Sequence, residues 1–156
     1  MKLNKRTNYK SMLDLIGNTP VVQLTNTIAK TQVKIFAKLE GQNPTGSVKD
    51  RIALQMIEDA EQNKSISPGS TILEPTSGNT GISLAFVAKM KGYKVTVVMP
   101  DNVGEERSQL LKAYGAKIIY TEGKLGTNHS IEVAKELAAK NSEYVMLYQY
   151  GNKGNP

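Results

Sequence analysis

The 156-residue chain has no cysteine, no tryptophan and one histidine. No apolar run approaches the roughly 18 residues that a membrane-spanning helix needs. Each absence closes a class of function. Without cysteine there is no disulfide framework, no thiolate zinc site and no cysteine nucleophile. A single histidine, His129, excludes a polyhistidine metal site and leaves any Ser–His triad one candidate base. No metal is expected, and His129, between Asn128 and Ser130 at the start of a helix, is expected to face solvent. The N-terminal MKLNKRTNYK is basic but lacks the apolar core of a signal peptide. These features together describe a soluble, cytoplasmic protein without a membrane partner.

Acidic residues are in the minority, with a formal net charge of +6. The excess is local: Lys2, Lys5, Arg6 and Lys10 stand in the first ten residues with no acid among them. The remainder is nearly balanced. Aromatics make up 6% and no nucleic-acid-binding motif is present, so no nucleic-acid partner is expected. Residues 1–11 read as a basic arm, solvated or in contact with another subunit.

What is present is an alternation of strands and helices. Leu15–Pro20 carries a turn signal and Val21–Leu24 a short strand. Val33–Glu40 places Val33, Ile35, Ala37 and Leu39 on one face, as a strand does. A helix is expected from Ser47 to about Asn63, with Ser47 and Asp50 spaced as a capping box. Strands follow at 70–74, 94–99, 116–121 and 143–148. Helices are expected at 82–90, after Glu105 and over 128–141, with Gly92 and Gly115 as C-terminal stops. Strands alternating with helices predict an α/β fold, a parallel sheet covered on both faces.

Three segments hold candidate chemistry. In Asn43–Arg51, the helix dipole and nearby Arg51 disfavour the ammonium form of Lys49, leaving an amine suited to bond with an aldehyde cofactor. A surface lysine beside a capped helix is the plain alternative. Glu74–Gly81 follows a strand and opens a helix, where backbone N–H groups and the Thr and Ser hydroxyls make an anion pocket. Phosphate and carboxylate both suit it, as does an ordinary strand–helix turn. It is neither a P-loop nor a dinucleotide fingerprint. Tyr148–Asn152 ends the last strand. In an open parallel sheet ligands bind outside the carboxyl ends of strands, so Gln149 could meet the Glu74–Gly81 loop over one crevice. As an isolated residue it reads as a solvated turn position.

Taken in order, Leu15–Pro20, Asn43–Arg51, Glu74–Gly81, Glu106-Arg107, Tyr114–Ala116 and Gln149–Pro156 resemble the cysteine synthase family, across residues 12–156. That resemblance implies a three-layer parallel-sheet sandwich, the tryptophan-synthase β-like fold of pyridoxal 5'-phosphate enzymes. It implies Lys49 as the lysine that bonds the cofactor and transfers protons, and Asn79 as partner of the cofactor's ring hydroxyl. Thr76, Ser77, Gly78, Thr80 and Gln149 would bind the carboxylate of the amino-acid substrate. The reaction would be β-replacement, in which an activated serine exchanges its leaving group for sulfur to give cysteine. O-acetylserine with sulfide is the default. Val145–Asn152 looks most like a subset that uses O-phosphoserine and a sulfur-carrier protein. The family's chains are about twice this length, so the resemblance implies a truncated fold. Residues 12–42 would belong to a larger domain, 43–154 would form the small α/β domain, and the C-terminal half would be absent. A homodimer is implied at full length, and little or no activity for the 156 residues alone. Cystathionine β-synthase is the alternative enzyme, and a non-catalytic binding module the alternative class. The sequence Asn102–Arg107 departs from the family's Met-Ser-x-Glu-Arg.

Overall fold

The computed structural model describes residues 8–24 and 33–155. Lys2, Lys5 and Arg6 of the basic arm, and Pro156, lie outside the described residues. Among those described, the elements run β1 (Val21–Gln23), β2 (Phe36–Lys38), α1 (Lys49–Gln62), β3 (Thr71–Pro75), α2 (Asn79–Lys91), β4 (Lys94–Pro100), α3 (Glu105–Ala113), β5 (Lys117–Thr121), α4 (Gly126–Lys140) and β6 (Tyr144–Met146).

β3 to β6 form one parallel sheet in the order β5-β4-β3-β6. β4 sits inside it, and its Val95–Val98 run is buried on both faces, as the central strand of a covered parallel sheet requires. From β3 the chain moves outward through α2 to β4 and through α3 to β5. It then returns across the sheet through α4 to β6, on the other side of β3. Right-handed crossovers place helices on one face for the outward steps and on the opposite face for the return. The core divides accordingly. Ile72, Val95, Val97 and Met99 pack with α1, α2 and α3, while Leu73 and Val98 pack with Ala134 of α4. This is the expected three-layer α/β sandwich.

α2 is the central helix. Thr80 through Ala88 are all buried, so it has no polar face, and Gly92 ends it in the left-handed conformation at φ +81°. Gly81 lets it lie close to the strands: a Cβ there would stand 2.8 Å from the Thr76 methyl. The helix begins at Asn79, three residues ahead of the sequence expectation, because Gly78 already supplies the extended cap.

The second sheet is a pair. β1 and β2 are antiparallel, with Val22 opposite Ala37. Ile35, Ala37 and Leu39 are half-buried and alternate with exposed neighbours, the expected period of two, but Val33 is 63% exposed. Val21, Val22, Leu24 and Phe36 are also exposed, so this ribbon presents apolar surface to solvent.

Candidate functional site

Lys49 is the first residue of α1, half-buried, on the loop Asn43–Val48. That loop is held from two sides. Asp50 is fully buried, accepting from the Ser83 hydroxyl of α2 at 2.6 Å and from the Thr45 N–H at 2.8 Å; the Thr45 hydroxyl donates to it as well. The expected capping box is therefore half right. The Ser47 hydroxyl accepts from the Lys49 N–H at 3.1 Å, but Asp50 turns inward rather than back to the cap. The physical reason is donor supply: a buried carboxylate needs several donors, and Thr45 with Ser83 supplies more than one cap amide could.

On the other side, Arg51 pairs bidentately with Glu40, Nε to Oε2 at 2.7 Å and Nη2 to Oε1 at 2.8 Å, and its Nη2 donates to the Gly17 carbonyl at 2.9 Å. Glu40 also accepts from the Thr19 hydroxyl and the Asn43 amide, while the Gly17 N–H donates to Asn43 Oδ1. Hydrogen bonding from Arg51 holds the Glu40 carboxyl at about 2, and Glu40 in turn raises the guanidinium. The Arg51 charge is matched by Glu40. Lys49 lines an open cavity of about 600 Å³ with residues of α1 and with Lys153, Gly154 and Asn155.

The second group is Thr76–Thr80, between β3 and α2. Thr76 and Thr80 are buried, Ser77 and Gly78 half-buried, and Asn79 exposed at the helix start. Gly78 is the N-cap and has no side-chain oxygen to accept from the first amides of α2, which leaves that helix end open to an anion. Arg107 Nη1 of α3 donates to the Ser77 carbonyl at 2.7 Å and holds the loop from outside.

The third group is the turn after β6. β3 and β6 are adjacent, and Glu74 of β3 accepts from the Tyr148 and Gln149 N–H groups, each at 2.9 Å. Gln149 is buried and its side-chain amide donates to the Pro75 carbonyl at 3.4 Å. Burial raises the Glu74 carboxyl to about 7, against the two amides that favour its charged form. The turn after β6 is thus bonded to the end of β3, directly ahead of Thr76. The cavity beside Lys49 is lined by none of Thr76–Thr80 or Gln149. His129 lies in the first turn of α4 with Nδ1 3.5 Å from Glu132, away from these groups. Among the described residues, no cluster of three His, Cys, Asp or Glu could hold a metal, and no helix is long and apolar enough to cross a membrane.

No local sequence pattern assigns Glu74, Asp50 or Arg107 a role within the site. For Arg107 and Glu74 the signal was their presence in the quoted motifs. For Asp50 the capping spacing pointed to the wrong partner.

Residues 12–156 match the family described as "Pyridoxal-phosphate dependent enzyme". A cysteine synthase of Staphylococcus aureus (strain N315) is 50% identical over 146 residues, 94% of this chain and 47% of that protein. A probable cysteine synthase of Bacillus subtilis (strain 168) is 50% identical over 143 residues, 92% of this chain and 46% of that protein. The crystal structure of O-acetyl serine sulfhydrylase isoform 3 from Entamoeba histolytica superposes with a TM-score of 0.90 at 36% identity, covering 99% of this chain and 48% of that one. The chain spans about half the length of the curated relatives it matches.

Proposed function

Since this chain belongs to the pyridoxal-phosphate dependent enzymes, we propose that it carries the lysine and the substrate-carboxylate site of a cysteine synthase. The reaction is replacement of the leaving group of O-acetylserine or O-phosphoserine by sulfur, taken from sulfide or a sulfur-carrier protein. The donor set fits the cofactor. Lys49 offers a half-exposed primary amine, in no ion pair among the described residues, where an aldehyde can reach it. Asn79 stands exposed at the start of α2 with an amide for a ring hydroxyl. When bound, pyridoxal phosphate supplies the electron sink for bond-breaking at the amino-acid α-carbon.

In this reading the protein's own residues contribute as follows. Lys49 Nζ holds the cofactor and moves the α-carbon proton as general base and acid. Thr76, Ser77, Gly78 and Thr80 receive the substrate carboxylate at the uncapped end of α2, and Gln149 closes that site from the neighbouring strand. Asp50 and the Glu40–Arg51 pair fix the Lys49 loop, and Arg107 fixes the carboxylate loop. The observation that supports this reading is that the Gln149 turn is bonded to Glu74 and Pro75 at the carboxyl end of β3, directly ahead of the Thr76–Thr80 loop.

Residues 12–42 read as strands of a larger domain, supported by the exposed apolar side chains of β1 and β2, and 43–154 as the small domain. A cytoplasmic homodimer is part of the same reading. The 156 residues alone are expected to be poorly active, since they span about half of the relatives. The test is Lys49→Ala in the complete gene product, assayed with O-acetyl-L-serine and sulfide. Turnover is expected to fall by about 10³ or more, with the circular dichroism unchanged. Retained turnover would overturn the assignment.

A further inference from the structure

Among the described residues, every hydrogen bond that ties the Gln149 turn to β3 runs through residues 74 and 75. The backbone ladder between β3 and β6 pairs Thr71 with Tyr144, Ile72 with Val145 and Leu73 with Met146, and goes no further. At the next position the Glu74 side chain takes over, one oxygen to each of two successive amides at 2.9 Å. Two parallel bonds fix both the distance and the orientation of the peptide they hold. Tyr148 between them has φ +57°, a conformation a non-glycine residue keeps only where its surroundings impose it. Asn152 and Asn155 complete the turn by donating to the Leu147 and Gln149 carbonyls, both at 2.8 Å.

Stability does not account for a carboxyl group here. Glu74 is 0% exposed, and among the described residues no cation forms an ion pair with it. A buried carboxylate without a cation costs more than a hydrophobic residue of the same size. What only a carboxylate of this length offers is two acceptors aimed at two consecutive N–H groups.

We propose that Glu74 is a positioning residue: it clamps the Tyr148–Gln149 backbone to the end of β3 and so sets the Gln149 side chain opposite the Thr76–Thr80 loop. The proposal rests on the reading of that loop as a carboxylate site and adds the residue that spaces its two halves. Above pH 7, where the Glu74 carboxyl is ionised, Glu74→Gln offers one acceptor and one NH₂ in place of two acceptors, so one turn amide loses its partner.

Hydrogen exchange tests the clamp without any ligand. In the wild-type protein the Tyr148 and Gln149 amides are expected to exchange at least about tenfold more slowly than those of exposed Tyr150 and Lys153; equal rates would overturn the clamp even if the variant does not fold. Glu74→Gln is expected to abolish that protection while the amides of α2 keep theirs. L-serine then serves as the probe on the pyridoxal-phosphate-loaded protein. Its Kd is expected to rise about tenfold in Glu74→Gln, equivalent to about 1.4 kcal/mol, with cofactor affinity unchanged. Unchanged serine affinity beside a loosened turn would overturn the positioning role. Failure of the wild type to bind serine would overturn the carboxylate reading itself, and the exchange data would still decide the clamp.

Discussion

Gly17 shows how single residues organise this molecule. Its φ is +78°, and a Cβ there would stand 2.6 Å from Arg51 Nη1. The glycine is the space through which Arg51 reaches the Gly17 carbonyl while holding Glu40. Gly17→Ala is expected to destabilise the protein by about 1–2 kcal/mol from the left-handed backbone, with a further loss from displacement of Arg51. Urea unfolding of the variant checks the first, and a rise in the Glu40 carboxyl followed by NMR checks the second. The sequence shows Gly17 as part of a turn and Arg51 as a helix residue near Lys49. That the two touch is a contact across 34 positions, which no local pattern encodes. Asp50 makes the same point: its spacing from Ser47 suggests a cap, but it bonds to Thr45 of the preceding loop and to Ser83, which only the packing of α1 on α2 brings within reach.

At the scale of elements, what the sequence makes legible is what periodicity and punctuation carry. The runs at 94–99 and 116–121, the glycine stops at 92 and 115, and the fourth helix all stand within one or two residues of their expected places. The starts of α1 and α2 shift because helix beginnings depend on caps, and here Val48 and Gly78 stand at the caps without side-chain bonds. The ends of β3 and β6 also govern the pH dependence of stability. Burial raises Glu74 from 4.5 to about 7, so ionising it costs folding stability: the stability present below about pH 4.5 is lost as pH rises through 7. The shift corresponds to on the order of 3 kcal/mol. Glu40 works oppositely: hydrogen-bonded by Arg51, its contribution is present above about pH 4.5 and disappears as pH falls toward 2. Urea midpoints are expected to fall between pH 5 and 8 in the wild type, and to flatten in Glu74→Gln. A midpoint that rises over that range in the wild type would contradict the account.

The whole molecule is a covered parallel sheet with a small apolar ribbon beside it. The alternation of elements predicts the sheet and its two helical faces. It does not predict the order β5-β4-β3-β6, which follows only when the third crossover returns past β3. That return makes β3 and β6 neighbours and so brings Gln149 to the end of β3. The antiparallel pairing of β1 with β2 is likewise long-range, and their exposed Val21, Val22 and Phe36 mark the side of the molecule where further apolar packing would be favourable. One experiment tests Lys49 as the cofactor-bonding lysine directly. The protein is incubated with pyridoxal phosphate, reduced with borohydride, and its modified lysines are mapped by mass spectrometry, with Lys49→Ala as control. A dominant adduct on Lys49 that disappears in the variant is the expected result; adducts scattered over the other lysines, or a dominant one elsewhere, would contradict the role of Lys49.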